Sequence, residues 1–459
     1  MRRGWPKISA HSRVVAVLAV GLGLFMLPVA RGAQPDYIME EQTAPATVEG
    51  TKQPIGGGFV EEEPVPSNFP GLKQKLEPLS PFWRDTSLAI KPRTYYFDRH
   101  REDASDSTAW ALGGSLDYLS GWWRERLRVG AVLYTSQKLY GPSDKDGTLL
   151  LEPGQEGFTV LGQAYLEGRL NDELWLRLGR QAFNLPYVNR FDNRMVPNTF
   201  EAYTLGGDEA ANLAFIVSHM RKMKTRNSSE FVYMSEAAGF DGTDEGLTMA
   251  GARYSFGVDA NIGAINQYAW DFMNTFYAEA TASWKLTDQT SLRAAAQYTD
   301  QRSVGEELDG DFSTHVVGGK LATSHRGAIL SFAFSSTSQN RRIRNPFGGY
   351  PGYLALMVKN FYRAGEDAWL LGVSYDFGGM GINGLSAFAN YARGNTPNSG
   401  TAASPDQSEL DLTVDYRFQH PALKGLWLRL RRAFVDQRGR DGEDVDDTRI
   451  ILNYEFGLL

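Results

Sequence analysis

The lengths of the connections between strand-like segments restrict most strongly what this chain can fold into. From Asp85 onward, segments in which apolar and polar residues alternate with period 2 end in clusters of Gly, Asn, Asp or Pro, and eighteen such segments can be drawn. Short connections, such as Asn171-Asp172, Gly257-Val258 and Arg326, alternate with long ones. The long connections cover residues 141–157, 183–197, 222–245, 338–366 and 394–407.

This alternation separates two all-β architectures. A soluble β-sandwich has no physical reason to place all of its short turns at one end. An outer-membrane barrel does, because its periplasmic turns are short, its extracellular loops are long, and an even number of strands returns the chain to the periplasm. We therefore predict an all-β fold, a transmembrane antiparallel β-barrel of about eighteen strands over residues 85–459.

Residues 276–286 show the alternation most clearly. Phe276, Trp284 and Leu286 fall on one face, and Glu279 and Lys285 on the other. In a membrane barrel the apolar face contacts lipid and the polar face lines a wet interior. Aromatic residues also concentrate at segment ends, as expected of interfacial girdles. They are Tyr95, Tyr96, Trp122, Trp123, Trp427, Tyr454 and Phe456.

Composition excludes several other classes of protein. The 459 residues contain no Cys and only six His, which excludes thiol nucleophiles, disulfide frameworks and iron–sulfur clusters. A mean hydropathy of −0.36 leaves no room for a bundle of transmembrane helices. The acidic groups in residues 144–147 and 441–447 do not match an EF-hand. We predict neither a cofactor nor a metal site.

The N-terminal 84 residues differ from the rest. Basic residues precede an apolar run from Val14 to Ala30, which predicts a secretory signal peptide over residues 1–32, with a permanent anchor helix as the alternative. Its removal takes away five basic residues and no acidic ones and changes the net charge from −7 to −12, which makes nucleic acid a poor partner. Residues 33–84 are Pro-rich and contain an acidic cluster, so we predict a mostly disordered periplasmic extension.

Two motifs resemble those of a known family, the OprD-type porins, which are eighteen-stranded, substrate-selective channels of Gram-negative outer membranes. One motif comprises residues 178–181 (LGRQ), 185–187 (LPY) and 192–201 (DNRMVPNTFE). The other comprises residues 353–369 (YLALMVKNFYRAGEDAW) and 374–377 (SYDF). They are similar to the third loop, which narrows the pore in that family, and to the seventh loop with the strand that follows it.

The resemblance implies that the third loop carries the pore constriction. We expect its polar and charged residues to select solutes, since a pore selects at its narrowest ring. These candidates are Asn184, Tyr187, Asn189, Arg190, Asp192 and Arg194. Charges of both signs there could orient a zwitterionic solute. Alternatively, Asp192 and Arg194 pair with each other and only fix the shape of the loop.

Strand parity predicts a basic wall inside the barrel. In the first strand Leu88, Ile90 and Tyr96 mark the outward face, so the cations between them point inward. The same argument applies to the last three strands, and barrel closure makes these four strands neighbours. The predicted wall comprises Lys91, Arg93, Arg417, Arg429, Arg431 and Arg449. The family is known for such a ladder, which guides carboxylate-bearing solutes. The alternative is that inward acids, such as Glu409, Asp411, Asp415 and Glu455, neutralise these cations.

The predicted function is passive, substrate-selective diffusion of small hydrophilic solutes across the outer membrane of a Gram-negative bacterium. The resemblance implies carboxylates, amino acids or small peptides as solutes. Other expected partners are outer-membrane lipid and, during biogenesis, the barrel assembly machinery, and the protein would be a monomer or a trimer. A structural or plugged barrel with little conductance is the alternative. An enzyme is disfavoured, because neither His100 nor His219 lies in a catalytic motif.

Overall fold

The computed structural model describes residues 67–102, 104–210, 212–438 and 444–459. The predicted signal peptide and most of the predicted extension therefore lie outside the described residues. No described helix is both long and apolar enough to cross a membrane.

Eighteen long strands account for most of the described residues. They are β1 (Ser87–Arg101), β2 (Ser107–Leu119), β3 (Leu127–Tyr140), β4 (Phe158–Arg169), β5 (Leu174–Gln181), β6 (Thr199–Ala210), β7 (Leu213–Lys224), β8 (Leu247–Phe256), β9 (Ala260–Ala269), β10 (Met273–Thr287), β11 (Thr290–Ser303), β12 (Ser313–His325), β13 (Ala328–Thr337), β14 (Asp367–Asp376), β15 (Leu385–Asn395), β16 (Asp406–Arg417), β17 (Leu426–Arg438) and β18 (Val445–Tyr454).

Shorter elements lie between and before these strands. The α-helices are α1 (Pro70–Leu76), α2 (Pro81–Arg84) and α3 (Met234–Ala237). Single 3₁₀ turns cover Ser143–Lys145, Phe377–Met380 and Pro421–Leu423. Two-residue strands, Val232–Tyr233 and Phe456–Gly457, pair with the ends of β7 and β1 respectively.

The strands form a closed antiparallel barrel. Each long strand pairs with its sequence neighbours, and β1 pairs with both β2 and β18. In the closing ladder Arg93 lies opposite Asn453, and Phe97 lies opposite Arg449. The eighteen-stranded barrel predicted from the sequence is thus confirmed.

The connections alternate in length much as predicted. One end carries short turns such as residues 170–173, 257–259 and 326–327. The other end carries the long loops, with exceptions at residues 102–106 and 270–272, which are short as well. Because outer-membrane barrels have short periplasmic turns, the short end and the C-terminus mark the periplasmic side.

The two faces of each strand differ in composition. Outward residues such as Leu330, Leu412 and Ile450 are exposed, whereas inward neighbours such as Asp411 and Arg449 are buried.

Two aromatic residues assigned to the girdles from sequence face inward instead. Tyr95 donates its hydroxyl to the Asn193 carbonyl (3.3 Å), and Trp427 donates Nε1–H to Asp415 Oδ1 (3.3 Å). Parity, rather than position near a strand end, determines which face a side chain occupies.

Buried apolar clusters tie the long loops to the inner face of the barrel. The two loops that matter most are L3 (residues 182–198) and L7 (residues 338–366). Phe183, Leu185 and Val188 of L3 pack with Ile216 of β7 and Ile265 of β9. Leu354, Leu356 and Phe361 of L7 pack with alanines and Leu370 of β13–β15. Both loops therefore lie inside the barrel.

The last part of the segment predicted to be mostly disordered is helical. Residues 67–84 contain α1 and α2, and Pro70 and Pro81 occupy the first turns of these helices, where proline is favoured. The backbone N–H of Asn68 donates to the Gly457 carbonyl at 2.8 Å. This contact places the segment at the periplasmic end of the barrel.

Candidate functional site: the lumen of the barrel

L3 spans the lumen and is bound at both sides. On the β1 side, the Arg93 guanidinium contacts Asp192 Oδ1 at 2.6 Å and also donates to the Arg194 carbonyl. On the opposite side, Tyr187 donates its hydroxyl to Thr299 Oγ1 of β11 at 2.9 Å. Burial raises the pKa of Tyr187 well above its usual value, so this hydroxyl remains a neutral donor.

The remaining predicted residues of L3 have separate surroundings. Asn184 is half-buried and forms an isolated β-bridge with Asn189. Arg190 is half-buried, and its backbone N–H donates to the Phe183 carbonyl at 2.7 Å. Arg194 is buried, and its Nε donates to the Thr148 carbonyl at 2.8 Å. Asp192 thus binds Arg93, a wall residue, while the Arg194 side chain reaches the second extracellular loop.

L7 is bound to the wall by two buried carboxylates of β16. The Glu409 carboxylate accepts the backbone N–H groups of Val358 and Lys359 at 2.8 and 2.7 Å. Asp411 Oδ2 accepts the N–H of Met357 at 2.9 Å. Arg449 donates to the Met357 carbonyl at 2.7 Å, so both polar groups of this peptide backbone are satisfied.

The other side of L7 reaches the wall near β10. Tyr353 donates its hydroxyl to Glu279 Oε1 at 2.9 Å, and Tyr277 donates to Oε2 at 2.9 Å. Burial, and next the Glu279 carboxylate, raise the pKa of Tyr353 well above its usual value. Glu279 therefore accepts hydrogen bonds from two tyrosine hydroxyls, one of L7 and one of β10.

L3 and L7 also contact each other. Asn189 Oδ1 accepts the Gly349 N–H at 2.8 Å, and Asn189 Nδ2 donates to the Gly349 carbonyl at 3.1 Å. Asn189 is 3% exposed and Gly349 is half-buried, so these bonds are only partly accessible to water. The two loops form one continuous structure across the lumen.

The six predicted cations of the wall lie on four neighbouring strands, β16, β17, β18 and β1. Register places Arg431 opposite both Thr413 and Arg449, and Arg449 opposite Phe97. Burial divides the six into two groups. Lys91, Arg93 and Arg417 retain solvent access. Arg429, Arg431 and Arg449 are 5%, 4% and 0% exposed.

Acidic side chains pair with cations of both groups. Lys91 Nζ lies 2.7 Å from Asp117, and Arg93 binds Asp192. Two further pairs are Arg429–Asp415 at 2.7 Å and Arg449–Asp447 at 2.8 Å. Of the acids named from sequence, Asp415 thus pairs directly, whereas Glu409 and Asp411 bind L7. Exposed Arg417 stacks on Trp427, with the guanidinium 4.9 Å from the ring centroid.

Sequence reasoning missed a second group of inward charges at the periplasmic end. Glu167 of β4 binds Arg128 of β3 at 2.8 Å and Arg177 of β5 at 2.5 Å. Parity could have found both cations. Val129 and Leu133 mark the outward face of β3, and Leu176 marks that of β5.

The contacts of L7 had no comparable signal in the sequence. Parity could place the acids that bind L7 inward, namely Glu279, Glu409 and Asp411. It could not assign them to a loop more than 40 residues away. No group of His, Asp and Glu in the described ranges could hold a metal ion.

A closed barrel with an apolar outer surface, a charged inner surface and two infolded loops defines an outer-membrane channel of the porin class. The sequence profile described as outer membrane porin, OprD family, matches residues 80–458. The chain belongs to the OprD family, and it is a channel of the Gram-negative outer membrane and not an enzyme.

Similar proteins come from Pseudomonas species. The porin-like protein GalP of Pseudomonas putida is 24% identical over 391 residues, covering 82% of this chain and 93% of GalP. The crystal structure of Pseudomonas aeruginosa OccK9 (OpdG) matches with a TM-score of 0.75 and 27% identity, covering 83% of this chain and all of OccK9. The structure of OpdK from the same organism with vanillate has a TM-score of 0.74 and 22% identity, covering 82% of this chain and all of OpdK.

Proposed function

We propose that this porin passes small hydrophilic solutes that carry a carboxylate, such as organic acids, amino acids or small peptides. The observation that carries the proposal is the row of inward cations on β16–β18 and β1 beside the loop that spans the lumen. Lys91, Arg93 and Arg417 are the wall cations that a solute could reach, because they keep solvent access. Guanidinium and ammonium groups attract carboxylates, and low-dielectric walls strengthen that attraction.

In this mechanism the buried cations act indirectly. Arg429 and Arg449 are held by Asp415 and Asp447, and we infer that they fix the geometry of the wall. Arg93 and Asp192 place opposite charges beside each other where L3 meets the wall. We propose that L3 forms the constriction, where these charges would orient a zwitterionic solute. The OpdK structure with vanillate, the anion of an aromatic acid, supports the choice of solute class.

The test is ion selectivity in planar bilayers. Lys91→Gln combined with Arg417→Gln removes two accessible charges without changing the L3 anchor Arg93. Each charge contributes about 1 kcal/mol at 4 Å even at the dielectric constant of water, which corresponds to roughly a fivefold effect. Because two charges are removed, we expect the permeability ratio of benzoate to potassium to fall roughly 25-fold, as measured from reversal potentials.

The matched control is Arg432→Gln. Arg432 lies on β17 next to Arg431 but has the opposite parity and pairs with Asp446 at 2.8 Å. The Arg432→Gln variant should therefore have the same permeability ratio as the wild type. Equal ratios for the wild type and the double variant would contradict the proposed role of the wall.

A plugged barrel is the competing possibility, and conductance distinguishes it. The purified protein should conduct ions in a bilayer, whereas a sealed barrel would not. If only a variant lacking residues 33–84 conducts, the N-terminal extension is a plug.

A further inference from the structure

The segment of residues 67–84, which we call the rim segment, exposes an unusual number of large apolar side chains. Phe69, Leu72, Leu79 and Trp83 are 43%, 43%, 46% and 54% exposed. Such side chains are costly in water, and a segment this short cannot bury them against itself. Clustered on one short segment, they form an apolar surface of the kind that binds a partner.

The barrel holds the rim segment in place. Ser67 forms a parallel bridge with Gly457, and Lys73 Nζ donates to the Thr86 carbonyl at 2.7 Å. The backbone N–H of Gly121, in the β2–β3 turn, donates to the Phe82 carbonyl at 2.9 Å. The rim segment therefore runs along the periplasmic edge of the barrel from β18 to β2.

The rim segment is continuous with the surface that contacts lipid. The rings of Phe69 and Phe456 meet edge to face, with centroids 5.5 Å apart. Phe456 lies opposite Ile90 in the β1 ladder, and paired residues share a face. Ile90 points outward and is 37% exposed, so Phe69 extends the apolar outer surface.

The charges of the rim segment suit an acidic lipid surface. Residues 67–84 contain Lys73, Lys75 and Arg84 and one acid, Glu77, and Arg84 pairs with the adjacent Asp85 at 2.8 Å, which leaves the two lysines as the cations that can bind an anionic surface. The nearby turn adds Trp123, 50% exposed, with the Arg124 guanidinium 4.9 Å from its ring centroid. Aromatic side chains and cations together are typical of the membrane–water interface.

We propose that the rim segment is an interfacial anchor. Its apolar side chains enter the periplasmic leaflet, and its cations bind acidic phospholipid headgroups. Each cation near an anionic surface contributes to such binding, and the effect weakens with salt. This anchoring goes beyond the transport of solutes and is independent of it.

The absence of cysteine from the chain makes a direct test possible. Two single-cysteine variants of the full chain, Leu72→Cys and Trp83→Cys, are labelled with a fluorophore at the new cysteine. Each variant is then reconstituted into vesicles of phosphatidylcholine and phosphatidylglycerol. Leu330→Cys, on the lipid-facing side of β13, is the positive control, and Glu77→Cys is the water-exposed control. Quenching is measured with nitroxide-labelled lipid and with aqueous iodide.

We expect lipid nitroxide to quench the labels at positions 72 and 83 at least half as strongly as at 330, and iodide to quench mainly the label at 77. Strong iodide quenching at 72 and 83 would overturn the proposal. Protection from both quenchers would also overturn it, since protein, either residues 33–66 or a second copy, would then cover these side chains. Unchanged quenching in pure phosphatidylcholine would refute the headgroup contact. Conductance of the same variants tests the channel separately.

Discussion

At the scale of single residues, Glu409 has the most direct control over the position of L7. Its carboxylate is completely buried and accepts two backbone N–H groups of the loop. A carboxylate can accept at both oxygens, whereas an amide offers only one acceptor. Both carboxyl oxygens of this residue are therefore part of the loop anchor.

Replacing Glu409 with Gln should loosen L7. The amide nitrogen would face a backbone N–H, which leaves a buried donor unsatisfied and costs about 1–3 kcal/mol. We expect a lower urea midpoint and a larger, noisier single-channel conductance.

Glu173→Gln is the control, because Glu173 is an exposed acid in a periplasmic turn. It should match the wild type in both measurements. A quiet, unchanged conductance of the Glu409 variant would show that L7 does not depend on this carboxylate.

At the scale of elements, the β1–β2 contact depends on one close approach. Pro92 of β1 lies opposite Gly114 of β2, whose φ is +126°. A Cβ at position 114 would lie 2.0 Å from the Lys91 carbonyl oxygen. Pro92 also lacks an N–H, and the β1–β18 ladder is interrupted beside it, resuming where Ile90 pairs with Phe456.

Gly114→Ala should therefore destabilise the barrel at its closing strand. The strained backbone alone costs about 1–3 kcal/mol, and the steric clash adds to it. We expect a lower unfolding temperature in detergent. On gels of heated samples, a smaller fraction of the variant should migrate as the folded barrel.

Gly379→Ala provides the comparison, since a Cβ there would meet nothing within 4 Å. It should fold like the wild type. Equal stability of the two variants would mean that β1 and β2 can separate at little cost.

At the scale of the whole molecule, the lumen is organised by contacts between distant parts of the chain. Asn189 and Gly349 are 160 residues apart and join L3 to L7. L3 is bound to β1 through Asp192, and L7 is bound to β16 through Glu409. A change in one loop should therefore affect the other.

Asn189→Ala removes the two side-chain hydrogen bonds between the loops and leaves the half-buried N–H of Gly349 without its acceptor. At about 1–3 kcal/mol for such a group, the loops should separate more often. We expect frequent transitions between conductance levels in single-channel recordings.

Asn398→Ala, in an exposed part of the eighth loop, should give steady currents. Steady currents from Asn189→Ala as well would indicate that the apolar clusters alone hold L3 and L7 in place.

Much of the barrel could be predicted from sequence because its rules are local. Strand period, turn residues and connection lengths determined eighteen strands and the inward position of residues such as Arg429 and Arg449. Position near a strand end was a weaker guide, and Tyr95 and Trp427 were assigned to the wrong face for that reason. The helices of residues 67–84 were also missed, since their Pro-rich composition resembles that of disordered segments.

The sequence by itself determined the barrel and the face of each strand residue, because a β-strand fixes side-chain direction with period 2. Only the tertiary structure decided which wall cations stay accessible, that Asp192 binds Arg93, and that Glu409 and Asp411 hold L7. Loops have no period, and their positions depend on hydrogen bonds and apolar contacts between distant residues, such as Asn189 and Gly349, which are 160 positions apart. Those contacts exist only once the barrel has closed around them.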